Sequence, residues 1–331
     1  MPTVHRTGGL RMTGTEPFVD RLLDLTLVGY TRLGPAVRRR LPGWPDDPPA
    51  GALAGKHVAI TGASSGLGEA CARQAHALGA HVHLVVRDEA KGAEVARSIH
   101  PEEQRVTVWR CDLADPASVD AFATVFVATG PPLHGLVHNA GALPAERTES
   151  EDGHELTMAL HVLAPVRITE ALLPALAGQD ARVVLVTSGG MYAQPLPVDD
   201  PDLLDEDYSG TKAYARSKRT QVELLGHLQQ RWGEHGVAVY ATHPGWVETP
   251  GVRESLPRFA KLTGRVLREP EDGTETTTWL LARKPRPEGG LWHDRRRRPT
   301  TYLGRNGASE AERDTMWRGV LAATNLDRST R

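Results

Sequence analysis

The chain runs to 331 residues, of which 40% are hydrophobic, with a formal net charge of −2. Such a length allows one large α/β domain with appendages and an ample core, and the near-neutral balance gives no global pull towards nucleic acid. No stretch approaches the ~20 apolar residues needed to span a bilayer.

Residues 1–50 stand apart as an N-terminal extension. After fourteen polar, glycine-containing residues, Thr15-Glu16-Pro17 opens a predicted helix through PFVDRLLDLTLVGYTRLG, with Thr15 as cap and Pro17 in the first turn. Phe18, Leu22, Leu25 and Val28 share a face, and Asp24 interrupts the apolar run enough to make it a poor signal peptide. Arg38-Arg39-Arg40 and the Pro-rich LPGWPDDPPAG follow as a linker. Two readings of residues 15–40 stay open. One is a helix lying on a membrane surface with its arginines near anionic head groups. The other is a helix docked on its own domain or on a partner subunit, which needs the same apolar stripe.

From residue 55 strands and helices alternate. Predicted strands cover 56–61, 80–86, 105–110, 133–138, 181–187, 236–242 and 290–293. Predicted helices cover 66–78, 88–99, 116–128, 151–177 and 212–232. Buried, Val-rich strands in this order imply an α/β, doubly wound and mainly parallel sheet of about seven strands, helices on both faces. With no internal repeat and no second phosphate loop, residues 51–300 form a single domain, followed by a C-terminal helical tail over 301–331. The less regular stretch 249–272 suits a lid over the substrate, and its Pro250, Val252, Leu256, Pro257, Phe259 and Leu262 suggest an apolar one. Cys71 and Cys111 read as small buried hydrophobes of a reducing compartment.

The stretch GKHVAITGASSGLG carries the first chemistry. A short apolar strand feeds a glycine-rich turn and then a helix. Gly62 permits the sharp turn, Gly66 lets the backbone approach a pyrophosphate, and Gly68 allows close packing of helix on strand. The N–H groups around Ser64, Ser65 and Leu67 then face the phosphate at the positive end of the helix dipole. The second strand ends Val85-Val86-Arg87 with no carboxylate before Arg87. A guanidinium there suits a 2′-phosphate through two charge-assisted bonds, which favours NADP(H) over NAD(H). The bland alternative is a surface arginine, with Asp88 capping the next helix. Asp112 and Leu113, in CDL after the third strand, are placed to meet the adenine, though Asp112 equally suits a cap for the helix at Pro116.

Asn139-Ala140-Gly141 after the fourth strand allows the backbone to pass close to a cofactor, or is simply a turn. Ser188 closes the fifth strand, at the carboxyl edge where ligands bind. Tyr214 and Lys218 then stack at i, i+4 on one helical face. A tyrosine titrates near 10, and an adjacent ammonium lowers that value into a range useful for proton exchange with a carbonyl or alcohol. Tyr208 and Lys212 share the same spacing, but Ser209 and Gly210 make a poor helix interior between them. After the sixth strand, Pro244-Gly245 turns the chain away from the sheet edge, and Thr249 suits a nicotinamide carboxamide or a phosphate, or a helix cap.

In this order, TGASSGLG at 61–68, NAG at 139–141, Ser188, YARSK at 214–218 and PGWVET at 244–249 resemble the short-chain dehydrogenase/reductase family over about residues 55–300. VHLVVRD, VTSGGMY and HPGWVETPGVRESLP look like its retinol-dehydrogenase-like branch. The resemblance implies that Tyr214 is the general acid/base and that Lys218 lowers its pKa while binding the nicotinamide ribose. Ser188 then polarises the substrate oxygen, and Pro244, Gly245, Val247 and Thr249 border the nicotinamide. The chain departs from the family twice. His161 takes the place of the asparagine that supports a water in the proton relay, and His138-Asn139 replaces the paired asparagines.

The resulting expectation is an NADP(H)-dependent oxidoreductase acting on a carbonyl or alcohol of a hydrophobic small molecule. A catalytically idle NADP(H)-binding scaffold or redox sensor is the competing reading. Fourteen histidines without a His-x-x-x-His pair on a helix suggest no metal site. The runs Arg38–Arg40 and Arg295–Arg298 are read as solvated faces, without nucleic acid as partner. The expected compartment is the cytoplasm, with peripheral membrane contact through residues 15–40 and homo-oligomerisation left open.

Overall fold

A computed structural model describes residues 18–26, 28–102, 104–204, 207–248, 266–302 and 305–327. Eight strands form one sheet: β1 (His57–Thr61), β2 (His81–Val86), β3 (Val106–Arg110), β4 (Gly135–His138), β5 (Arg182–Val186), β6 (Ala238–Thr242), β7 (Gly290–His293) and β8 (Arg296–Arg297). Their order is β3-β2-β1-β4-β5-β6-β7-β8, parallel from β3 through β7. The addition to the seven expected strands is β8, a two-residue antiparallel partner of β7 too short to carry an alternating pattern. Chain order reverses between β1 and β4, so the crevice at their carboxyl ends is the topological switch point where such sheets bind ligands.

Apolar side chains on both faces of the strands create two cores. On one face Phe126, Leu136, Ile168, Leu172 and Trp232 pack together. On the other are Ile60, Leu84, Tyr240 and Leu280. The second face is covered by α3 (Gly66–Ala77), by α4 (Glu89–Ile99) and by a later helix, Pro270–Ala282. The first is covered by α5 (Pro116–Thr129) and by α6 (Leu156–Leu176). The catalytic-helix candidate α7 (Gly210–Glu223) is followed, after a break at Leu224, by α8 (Leu225–Gly233), where one continuous helix was expected. Helix α6 begins at Leu156 instead of 151, because Gly153 turns at φ 82° and Glu149 bridges Glu155. Contrary to the sequence expectation, α6 is long and apolar enough to cross a membrane by length and composition. Its Val162, Val166, Ile168, Leu172 and Leu176 are instead packed in the core. Cys71 and Cys111 are both buried free thiols.

The N-terminal segment folds as α1 (Phe18–Leu25), a short 3-10 turn (Val28–Tyr30) and α2 (Leu33–Arg38), and it is tied to the far end of the sheet. Arg38, wholly buried, reaches Asp20 at 2.6 Å, Asp24 at 2.5 Å and Asp294 at 2.5 Å. Arg298 pairs with Asp20 and Asp24 at 3.0 and 2.7 Å, and Arg268 with Asp294 at 2.6 Å. The arginine runs are therefore not the solvated faces expected. Arg39 pairs with Asp272 and Glu275, Arg295 with Asp47 and Glu275, and Arg297 with Glu288.

Candidate active site

The glycine turn forms as its residue types require. Gly62 and Gly66 adopt φ of 65° and 56°, a region that L-residues with side chains rarely enter. At Gly68 a side chain has no room: a Cβ would meet the Gly62 carbonyl, Asn139 Nδ2 at 2.5 Å and Ala63 Cα at 2.9 Å. Ser65 caps α3 in extended geometry without a side-chain cap bond, so its neighbours' N–H groups remain available to an anion. Leu67 is partly buried against the adjoining core.

Thr61, not singled out from the sequence, locks the switch point. Its Oγ1 accepts from the Asn139 and Ala140 N–H groups at 3.0 and 3.1 Å and donates to Val137 O at 3.3 Å. The Asn139 side chain is spent holding the turn, donating to Thr61 O at 3.1 Å and Gly62 O at 3.3 Å. Ala140 lies against Gly62, where a Cβ would approach its Cα at 2.8 Å. A threonine before a glycine-rich turn is a weak signal on its own.

Arg87 is exposed at the end of β2, and it forms no ion pair or side-chain hydrogen bond among the described residues. Asp88 does cap α4, accepting from Lys91 N at 3.2 Å. For α5 the cap is Asp115; Asp112 instead accepts from Ala114 N at 3.0 Å, and Leu113 packs on the core edge.

Ser188, Tyr214 and Lys218 come together beyond the carboxyl end of β5. Ser188 follows the strand; its hydroxyl accepts from Gly190 N–H at 3.2 Å and lies near enough to the Tyr214 phenol to favour its ionised form. Two bonds register helix α7 against the strand: Lys218 Nζ donates to Val186 O at 2.7 Å, and Thr187 Oγ1 donates to Lys218 O at 3.1 Å. The ammonium lies 5.6 Å from the Tyr214 ring centroid. Burial lowers Lys218 to about 7 and pushes the Tyr214 phenol above its ordinary 10, opposed by the nearby Ser188 hydroxyl. Tyr208 stands before α7 begins and donates to Glu155 Oε1 at 2.9 Å, so it and Lys212 do not share a helical face.

His161 sits on a π-helical turn, Ala159–Leu163, inside α6. Ala142 N–H donates to its Nε2 at 3.3 Å, which leaves the proton on Nδ1 to meet Ser217 Oγ at 2.7 Å. Ser217 in turn donates to Tyr214 O at 2.9 Å. Burial first, and Lys218 second, hold the imidazole well below its usual pKa, so it is neutral. Its backbone carbonyl, the group available for a relay water, already accepts from Gln221 Nε2 at 2.7 Å. His161 thus ties the NAG turn to the tyrosine helix. The adjacent His138 is depressed to about 3 by burial, and its Nε2 lies 2.8 Å from Thr169 Oγ1.

Pro244 and Gly245 are braced from an unexpected side. Arg268 reaches Pro244 O at 3.3 Å, together with Tyr30 O at 3.1 Å, and Trp246 N–H donates to Tyr30 O at 2.7 Å. Val247 is buried and bridges Arg268. Thr249, and the apolar positions of the expected lid, lie outside the described residues. At the opposite, amino end of the sheet, His57, His81 and His83 bring ligand-type atoms within 4.8 Å of one another. Those nitrogens already serve a hydrogen-bonded row: Trp109 Nε1 donates to His83 Nδ1 at 3.0 Å, and His83 Nε2 lies 3.1 Å from His57 Nδ1.

This sheet, turn and serine–tyrosine–lysine cluster define a nucleotide-dependent oxidoreductase, and the chain belongs to the short-chain dehydrogenase/reductase family. Residues 56–199 match the family model described as short chain dehydrogenase. Dehydrogenase/reductase SDR family member 12 of Bos taurus is 37% identical over 271 residues, covering 79% of this chain and 84% of that protein. Retinol dehydrogenase 12 of Homo sapiens is 36% identical, covering 61% of this chain and 65% of its own length. Among solved structures, a metagenomic short-chain oxidoreductase in complex with NADP aligns with a TM-score of 0.54 at 25% identity, over 73% of this chain and 98% of that one.

Proposed function

We propose that the chain is an NADP(H)-dependent dehydrogenase/reductase that interconverts a carbonyl and an alcohol on an apolar small molecule. The observation carrying this reading is the convergence of Ser188, Tyr214 and Lys218 at the carboxyl end of β5, where Lys218 Nζ donates to Val186 O and lies 5.6 Å from the Tyr214 ring. The backbone of residues 64–68 would hold the pyrophosphate, Arg87 the 2′-phosphate, Asp112 and Leu113 the adenine edge. Asn139, Ala140, Gly141, Lys218, Pro244, Gly245, Val247 and Thr249 would border the nicotinamide end. The NADP named with the metagenomic relative supports the choice of nucleotide, and the alcohol named for retinol dehydrogenase 12 supports an apolar substrate.

A nicotinamide held there would supply or accept the hydride at the substrate carbon. Ser188 Oγ holds the substrate oxygen by a hydrogen bond, oriented by the Gly190 N–H that donates to it at 3.2 Å. In reduction Tyr214 Oη gives its proton to that oxygen; in oxidation it takes the proton back. Lys218 lies close enough to stabilise the phenolate that remains, and a cationic group brought beside it would offset the burial that now raises the phenol. The idle-scaffold reading keeps the nucleotide and removes this proton step.

Fluorescence titration with NADPH and NADH is the direct test. The expected result is tight NADPH and weak NADH binding, a preference reversed or erased by Arg87→Asp. Apolar aldehydes and ketones are then reduced by the wild type, and Tyr214→Phe lowers turnover by about 10²–10⁴ with NADPH affinity retained. Absence of binding by either nucleotide overturns the proposal. NADPH binding without turnover of any such carbonyl leaves the scaffold reading.

A further inference from the structure

Helix α1 is amphipathic, and it docks on the domain with its polar face, not with the apolar stripe that one of the two readings put inward. Its acidic side is the inner one: Asp20 and Asp24, the only carboxylates between residues 18 and 40, are buried and held by Arg38 and Arg298. The apolar stripe is left outside. Phe18 is 79% exposed, Leu22 47% and Leu25 53%, with Val19, Val28 and Leu33 also in solvent. These six are most of the ten large apolar side chains exposed among the described residues, and all fall within sixteen consecutive positions. Scattered exposed apolar residues are ordinary, whereas a contiguous group marks an interaction surface.

The charge beside this face selects the occupant. Arg21 and Arg32 are exposed and form no ion pair among the described residues, and Arg40 is exposed with its guanidinium only on Ala36 O. No carboxylate of residues 18–40 reaches solvent beside them. An apolar stripe whose own segment offers exposed arginines and no exposed carboxylate fits the boundary between acyl chains and anionic head groups. A protein partner with an apolar groove would gain nothing from a rim of one sign unless it were itself acidic.

We propose that the outward face of residues 18–33 docks the protein peripherally on an anionic lipid bilayer. The face adjoins the substrate side of the sheet: Tyr30 O accepts from Trp246 N–H, and Arg32 N–H donates to Val266 O at 3.0 Å. Both chain ends bounding 249–265 are thereby hydrogen-bonded to the docking segment. An apolar molecule dissolved in the bilayer reaches the site from the docked side.

The test is sedimentation of the full chain with vesicles of phosphatidylcholine, alone or containing phosphatidylserine, at rising salt. It needs no enzymatic activity and so stands apart from the proposed reaction. The expected result is binding favoured by phosphatidylserine and weakened by salt. Arg21→Gln and Arg32→Gln should each weaken binding to the anionic vesicles about fivefold. Phe18→Glu with Leu22→Glu should abolish binding at an unchanged melting temperature, since both side chains are in solvent. The proposal is overturned if the wild type binds neither composition, or if the glutamate pair leaves vesicle binding intact. It is also overturned if the wild type is a dimer that the glutamate pair dissociates, which would assign the face to a second copy.

Discussion

Replacing Arg38 by Met tests whether the N-terminal segment is part of the domain's stability. Three buried arginines, Arg38, Arg268 and Arg298, face three aspartates, Asp20, Asp24 and Asp294, and the less buried Arg296 reaches Asp20 at 3.4 Å from the edge of the group. Arg38 alone touches all three carboxylates and also donates to Gly29 O at 3.0 Å. Its loss leaves Asp24 with Arg298 and Asp294 with Arg268 as the one arginine pairing each, in a site out of reach of water. Breaking a buried pair from one side costs about 3–5 kcal/mol, a large share of the roughly 5–15 kcal/mol that holds a domain folded. Urea unfolding should show a lower midpoint at an unchanged slope. Asp24, whose carboxyl burial already raises above 3.8, is the first to take up a proton in the variant. A carboxyl with a raised folded pKa binds more protons when native, so the deficit shrinks as pH falls through that value. Asp294→Asn in the same background removes a carboxylate that Arg38 would have paired and should couple with Arg38→Met by about 0.5–3 kcal/mol. A cost under about 1 kcal/mol, the value of an exposed pair, or strict additivity of the two changes would refute the argument.

Lys218 predicts a second pH dependence. Its folded pKa of about 7 lies below the usual 10.5, so between those values the unfolded chain binds the extra proton. In the absence of nucleotide, stability should therefore rise with pH across that window, by up to about 1.4 kcal/mol per pH unit. Lys218→Met should flatten the slope; an equal slope in the variant would assign it elsewhere. Gly68→Ala forces a methyl against the Gly62 carbonyl and the Asn139 amide. It should cost about 1–3 kcal/mol in denaturant unfolding and weaken NADPH binding in the same titration, while wild-type values in both would refute the close packing.

The elements that position the site were legible because their signals are local. The apolar run HVAIT, the glycines after it and the alanine-rich helix occupy adjacent positions, and each supports the same strand-turn-helix unit. The direction in which α1 faces was not legible. An amphipathic helix has the same periodicity whichever side is buried, and of the buried arginines that hold Asp20 one, Arg298, lies 278 residues away. The two readings of residues 15–40 stay open in the sequence for that reason. His161 could be placed by motif, but the Ala142 N–H and Ser217 hydroxyl that occupy its ring nitrogens depend on packing between separate elements. Arg268 carries no sequence signal at all for its bracing of the Pro244 turn.

The charge group also imposes an order on folding. Arg38 and Asp294 are 256 residues apart, so the clasp between α1 and the sheet closes only after nearly the whole chain has been made. Until then Asp20 and Asp24 are in water, and α1 is solubilised by the side that will later be hidden. Its final docking exchanges that acidic surface for an oily one. A ribosome-bound chain lacking its last forty residues would present a different molecule to its surroundings, with no greasy patch held against a finished domain.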